Sequence, residues 1–217
     1  MAENPIRKEK KETVFYLTLE RPAKRNAITF EMLQEISETI EGLVGDPDIR
    51  AVIIKGEGAV FSAGVDFASL GSLVGRFMVD SAAGGAPIRA DISRFQHYLN
   101  RLEAIEIPII CAMHGGVFGM AVELALACDF RLMSADCIWA LPEARFGLVA
   151  DLGGTARLSR TIGASRTMEA LMTARRYTAE QALAWNLAGY VYPSREDLYA
   201  AADQLAADIA KMAPLAV

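Results

Sequence analysis

His114-Gly115-Gly116-Val117-Phe118-Gly119-Met120-Ala121-Val122-Glu123 follows the apolar run Pro108–Met113 and leads into a second apolar run ending near Cys128. A strand-like stretch, a glycine-rich turn and then Ala- and Leu-rich sequence reads as a buried strand delivered into a helix. A helix opened this way leaves its first backbone N–H groups without intrahelical partners, aimed at whatever lies before them. Phe61-Ser62-Ala63-Gly64-Val65-Asp66 repeats the pattern upstream. Two such junctions converging on one point would make an oxyanion hole. Glu123, together with Glu143 from Leu141-Pro142-Glu143, would then move protons beside it.

Outward from these junctions, strands and helices interleave. Val14–Leu19 is β-branched and aromatic enough for a strand, and Arg21-Pro22-Ala23-Lys24-Arg25-Asn26 is a polar turn. A helix is expected from Phe30, with Thr29 as N-cap and Leu33, Ile36, Ile40 and Leu43/Val44 along one stripe, ended by Gly45-Asp46-Pro47. Ala51–Lys55 and Pro108–Met113 read as buried strands, and Phe130–Ser134, Ile138–Leu141 and Tyr190–Tyr192 as further ones. Residues 67–92 carry Gly71, Gly75 and Ser81-Ala82-Ala83-Gly84-Gly85-Ala86-Pro87, and read as a mobile surface segment with room for one short helix. Helical periodicity resumes over Ile92–Ile105. Beyond Glu143, helices are expected around Gly154–Ile162, Arg166–Thr173, Ala179–Trp185 and from Arg195 to about Met212. The class is α/β with parallel pairings. It divides into a charged segment over 1–12, a core over 13–193 and the start of a C-terminal helical region over 194–217.

The bulk properties narrow the function. A chain of 217 residues suffices for one domain with a substantial core. Hydrophobic residues at 53% and charged residues at 23% fit a compact fold and exclude a disordered chain. A net charge of −5 offers nucleic acid no general attraction, so an anionic ligand needs a local basic patch. Cys111, Cys128 and Cys137 form no CxxC pair and sit in apolar runs, which reads as buried free thiols in a reducing compartment. With only His97 and His114, no metal centre is expected. Neither a secretory signal nor a membrane-spanning run is present, and the cytoplasm is the default expectation.

The acids carry the chemistry. Glu123 lies about one turn into a helix whose other members are apolar, so a solvated face is hard to draw for it. A buried carboxyl without a partner is costly and takes a raised pKa, which suits acid–base work near neutrality; the ordinary alternative is a structural glutamate bonded to backbone. Glu143 after Pro142 is by itself common at a first helical turn. Asp151, in Gly147-Leu148-Val149-Ala150-Asp151-Leu152-Gly153-Gly154, reads equally well as the N-cap of the helix that follows. His114 reads as satisfying a turn, and Trp139 and Trp185 as core.

Five segments in order carry a resemblance: Leu19–Ala27, Val52–Gly56, Phe61–Asp66, His114–Asp129, and Pro142-Glu143 with Gly147 and Gly153–Leu158. Over essentially its whole length the chain resembles the enoyl-CoA hydratase/isomerase (crotonase) superfamily. The resemblance implies a spiral of ββα units with C-terminal helices, acyl-CoA thioester substrates, and homotrimers or hexamers. It implies no cofactor beyond the coenzyme A of the substrate; the net negative charge and the lack of a membrane-length apolar run, rather than the resemblance, argue against nucleic-acid and membrane partners. By position, the oxyanion hole would be the N–H groups of Val65 and Met120, although the second site is usually glycine. Glu123 and Glu143 match the glutamate pair of a hydratase. Asp151, eight residues after Glu143, matches the dienoyl-CoA isomerase branch, which usually has aspartate where Glu123 stands. Lys24 and Arg25 would sit near the phosphates of coenzyme A, with Ala27, Ala63, Gly64 and Asp66 along the rest of it. Family members continue into C-terminal helices, whereas this sequence stops at Val217, which implies a short protein or an omitted tail.

The full glutamate pair favours hydration of a trans-2-enoyl-CoA to a 3-hydroxyacyl-CoA. The alternative is Delta(3,5)-Delta(2,4) double-bond migration with Glu143 and Asp151 as the proton pair. A third reading, encouraged by Met120, is a relative that binds acyl-CoA without turnover.

Overall fold

The computed structural model describes residues 5–79 and 86–214. Strands β1 (Ile6–Lys11) and β2 (Val14–Leu19) open the chain and are followed by helix α1 (Phe30–Glu41), β3 (Ala51–Gly56), α2 (Phe67–Val79) and α3 (Ala86–Ala104). Then come β4 (Ile109–Met113), β5 (Gly116–Phe118), α4 (Met120–Leu126), β6 (Phe130–Ser134) and β7 (Ile138–Ala140). A short 3-10 helix over Glu143–Phe146 leads to α5 (Gly154–Ile162), α6 (Ala164–Thr173), β8 (Tyr177–Thr178), α7 (Ala179–Ala184), β9 (Tyr190–Tyr192) and α8 (Arg195–Ala210).

A six-stranded sheet runs β1-β2-β3-β4-β6-β9, parallel throughout except for the antiparallel β1–β2 pair. A small second sheet is ordered β5-β7-β8. The period of two in a strand decides which core each side chain joins. Leu17, Val52, Ile54, Cys111 and Met113 face the main core with α1 and α4, whereas Tyr16, Ile53, Ile110 and Ala112 face the other way. On that second face lie Leu198, Ala202, Ala206 and Ile209 of α8, so the sheet is covered on both sides, as parallel strands require. The charged segment at the N-terminus forms β1, an edge strand exposed at every position but Ile6; its lysines discourage pairing with another chain.

Thr29 caps α1 by accepting from the Met32 amide at 3.2 Å, and Leu33, Ile36 and Ile40 are buried as the stripe requires, while Val44 lies past the helix end and is 53% exposed. The three cysteines are free and buried. Among the described residues no helix is long and apolar enough to cross a membrane.

Residues 67–92 depart from expectation. They hold the long helix α2 and the first part of α3, which starts at Ala86 rather than at Ile92. Asp66 begins α2 by accepting from the amides of Ala68 (2.9 Å) and Ser69 (3.3 Å), a cap that outweighs the weak helix propensity of two glycines. Pro87 falls in the first turn of α3, where proline is tolerated. The expected mobile stretch Ser81–Gly85 lies outside the described residues.

Nothing lies within 4 Å of a Cβ added at Gly71 or Gly75. Replacing each by alanine is expected to stabilise the fold by about 0.5–1 kcal/mol per site, because each glycine costs helix entropy and makes no close approach. An unchanged or lowered urea midpoint would show that these glycines serve something other than the helix.

Candidate active site

The two glycine turns are stitched together by backbone. Ser62 N–H donates to Gly116 O (3.1 Å) and Phe118 N–H to Ser62 O (3.2 Å), while Ile28 N–H donates to Gly64 O (2.8 Å) and Asp66 N–H to Ile28 O (2.8 Å). Asn26 locks the first turn from beneath: its buried amide donates to Glu57 O (2.7 Å) and Val60 O (2.9 Å). The approach is so close that Gly64, at φ +93°, could carry no side chain: its Cβ would lie 2.5 Å from Phe118 O. These ladders use many of the amides around the turns, and among those left without an acceptor among the described residues are the amides of Val65 and Met120. Met120 is the first residue of α4, and the amides of Val122 and Glu123 bond back to Gly119 O.

Both free-amide residues line one cavity of about 110 Å³, and Glu123, Glu143 and Asp151 line it with them. Its remaining wall is apolar, made of Phe30, Leu70, Ile88, Ile92, Phe95, Leu148, Val149 and Leu152. The five residues named from the sequence for the chemistry therefore meet in one place, drawn from four separate parts of the chain.

Each acid is set differently. Glu123 is 3% exposed, and its Oε1 accepts from Leu152 N–H and Gly154 N–H, both at 3.0 Å. Burial, then the neighbouring Glu143 charge, push its pKa up to about 8, against the lowering pull of the Gly154 amide. In Glu143, Oε2 is buried without a hydrogen-bond partner, and Oε1 lies against the Gly119 backbone, where an added Cβ would be 2.7 Å from it. Burial raises the Glu143 pKa to about 7, with the Asp151 charge adding to it and its own amide opposing. Asp151 is raised by burial as well. It does not cap α5; that position belongs to Gly153 at φ +96°.

The loop that supplies Asp151 and the two amides is braced by a residue that local sequence reading passed over. Arg157 is 3% exposed; it donates to Leu152 O (3.1 Å), to Asn100 Oδ1 (2.6 Å) and to Glu103 Oε2 (2.9 Å). Gln96 donates to the Asp151 carbonyl from the same helix α3. One signal for Arg157 was available: it falls on the buried stripe of α5 with Gly154, Leu158 and Ile162.

None of the residues assigned to coenzyme A lines this cavity. Lys24 and Arg25 are exposed at the end of the Pro22–Lys24 turn, and Lys24 lines a separate hollow of about 440 Å³ with Glu20 and Arg21. Ala63 N–H is held by Arg25 O (2.9 Å), Gly64 O by Ile28, and Ala27 O accepts from Arg21 Nη1 at 2.6 Å. Asp66 is occupied as the α2 cap and in an ion pair with Arg21 at 3.1 Å; burial alone would raise its pKa, but the Ser69 and Ala68 amides and Arg21 hold it low. His114 is buried, with Nε2 donating to Gly58 O (3.0 Å) and Nδ1 3.2 Å from the Tyr199 hydroxyl, which leaves it no free face for chemistry.

A family model described as enoyl-CoA hydratase/isomerase matches residues 9–217. The human mitochondrial Delta(3,5)-Delta(2,4)-dienoyl-CoA isomerase is 37% identical over 206 residues, which cover 94% of this chain and 63% of that protein. The peroxisomal enzyme of that name from Arabidopsis thaliana is 32% identical over 214 residues, covering 98% of this chain and 77% of its own length. The solved enoyl-CoA hydratase from Bacillus anthracis superposes with a TM-score of 0.85 at 28% identity, covering 99% of this chain and 80% of that one. The chain thus spans under two thirds of the mammalian relatives it matches.

Two outcomes follow from this geometry. The folded protein holds the Glu123 proton up to about pH 8 whereas an ordinary carboxyl releases it near 4.5, so the contribution of this group to stability falls as pH rises between those values. Glu123→Gln keeps the acceptor for both amides and removes the titration; relative to the parent it should gain on the order of 2 kcal/mol by pH 8, with the gain vanishing towards pH 4.5. Thermal unfolding across that range checks it, and a pH-independent difference would refute it. Arg157→Met strips a buried brace and should cost about 2 kcal/mol, more than Glu103→Gln, since the Glu103 carboxylate is itself 45% exposed; equal losses in urea would mean that the exposed ion pair, not the loop contact, dominates.

Proposed function

Since the chain belongs to the enoyl-CoA hydratase/isomerase family, we propose that it acts on an acyl-CoA thioester and moves a conjugated double-bond system, converting a Delta(3,5)-dienoyl-CoA to its Delta(2,4) isomer. The single observation that carries this reading is the presence of a third acid, Asp151, in the cavity that already holds Glu123, Glu143 and the two free amides. Hydration would need one pair of acids. Migration needs a proton removed at one end of a conjugated system and returned at the other. The names of the human and Arabidopsis relatives support the same choice.

The steps follow from placement. The thioester oxygen accepts from Val65 N–H and Met120 N–H, and the negative charge of the enolate develops there, where each preorganised donor is worth roughly 3 kcal/mol. Glu143 lies beside the Gly119–Met120 peptide, next to the carbonyl, and removes the proton from the carbon alpha to it. A pKa of about 7 gives a base half ionised at neutrality, near the optimum for proton transfer. Asp151 returns a proton at the far end of the conjugated system. Glu123, held by two amides and largely protonated, anchors the loop and donates into the cavity. Coenzyme A enters only as part of the substrate, and assembly into homotrimers or hexamers belongs to the same reading.

Hydration is the second reading, favoured by one specific observation: Glu123 and Glu143 both line the cavity and both sit near neutral pKa, as a pair sharing a water would.

Addition of the protein to a 3,5-dienoyl-CoA should raise the absorbance of the longer 2,4-dienoyl-thioester chromophore. Asp151→Asn should slow this at least about 100-fold, and Glu143→Gln as much or more. Faster loss of an enoyl-thioester chromophore with a hydroxyacyl product would favour hydration; tight binding of both esters without turnover would leave a binding protein.

A further inference from the structure

A second hollow shares part of the apolar wall of the candidate site. It measures about 450 Å³ and is lined by Glu31, Gln34, Ser69, Ser72, Arg94 and Tyr98 together with Phe30 and Phe95. Those two phenylalanines are the only described residues that line both this hollow and the acid cavity. Their rings stack with centroids 3.9 Å apart and planes within 3°, face against face with no room for an alkyl chain between them. We propose that the Phe30–Phe95 stack is the end wall of the acyl cavity and restricts the substrate to short acyl chains; this rests on the acyl-CoA reading above.

Three observations support the wall. The stack is held from both sides: Phe30 is the first residue of α1, fixed by the Thr29 cap, and Phe95 is 6% exposed with the Arg94 guanidinium 5.7 Å from its ring centre. It also belongs to the same cavity as the two amides: Ile28, two residues before Phe30, pairs with Val65, and Phe30, Phe95, Val65 and Met120 line one hollow. Finally, the space beyond is chemically wrong for a hydrocarbon. A chain long enough to part the rings would place its methylenes against Glu31, Gln34, two serines and Arg94, gaining little of the burial that favours apolar groups. The cavity proper is walled by Ile88, Ile92 and Leu148, which suits a short acyl chain of about six carbons, the least that a 3,5-dienoyl group requires.

The test compares binding of saturated butanoyl-CoA and decanoyl-CoA by calorimetry, so that it does not depend on which reaction the enzyme performs. The parent should bind butanoyl-CoA more tightly than decanoyl-CoA. Phe30→Ala should join the two hollows and move the affinity ratio towards decanoyl-CoA by about tenfold or more. Phe30→Leu, which keeps an apolar side chain should the alanine variant fail to fold, should move the ratio the same way but less. A parent that binds both esters equally, or variants that leave the ratio unchanged, would overturn the wall while the acyl-CoA reading stands. Failure of both esters to bind the parent would overturn the wall and the acyl-CoA reading together.

Discussion

The candidate site hangs on one buried carboxyl group. Glu123 sits in the first turn of a helix buried at every position, and such a group is tolerated only if its desolvation is offset. The offset comes from the amides of Leu152 and Gly154, in a loop 29 and 31 residues further along the chain. The loop must come close enough that residue 154 has no side chain: a Cβ there would lie 2.6 Å from Glu123 Oε1. Gly153 is bare for a parallel reason, since Arg157 occupies the space its Cβ would take. Hence the spacing Gly153-Gly154-x-x-Arg157 is a packing requirement of Glu123, and Asp151 is carried into the cavity by the same loop.

Charge is the second consequence. Three carboxyls share an apolar hollow, and burial raises all three. Each also makes ionisation of its neighbours harder, so at neutral pH the cluster cannot carry its full formal charge. That restraint matters for an enolate. Under the proposed mechanism, three ionised acids would oppose the negative charge forming at the amides of Val65 and Met120, whereas Glu123 held protonated at neutral pH lightens that opposition. The apolar wall that raises the pKa values also excludes the water that would otherwise screen those amides.

Much of this was legible in the sequence because the signals are local. Strand composition, the Thr29 cap and both strand–glycine–helix junctions are read within a few residues, and the family resemblance placed the acids in order. What escaped reading depends on distant partners. Strands β5 and β8, of three and two residues, exist only because β7 lies between them. The helix α2 was hidden by two glycines whose propensity cost is overcome by the Asp66 cap. Asn26 and Arg157 look like ordinary turn and surface residues until the chain 31 to 57 residues away folds onto them. Lys24 and Arg25 stood out by charge, yet the partly buried cation of that turn is Arg21, paired with Asp66.

Met120 is the departure that most invited doubt, and the local geometry explains why it is tolerated. The backbone reversal that frees the amide is made one residue earlier, at Gly119 with φ +55°. That glycine is also the one pressed against Glu143 Oε1, so the demands for a left-handed backbone and for room beside this carboxyl fall on the same position. Residue 120 is then an ordinary first helical residue, free to carry a side chain. Methionine there is 4% exposed, packs into the main core and lines the cavity beside Val65. Relative to glycine it favours the helical turn by nearly 1 kcal/mol, which stiffens the donor rather than displacing it. The cost is cavity volume: a thioether stands where a glycine would leave space, so the hollow that Met120 lines is smaller than it would be with glycine there.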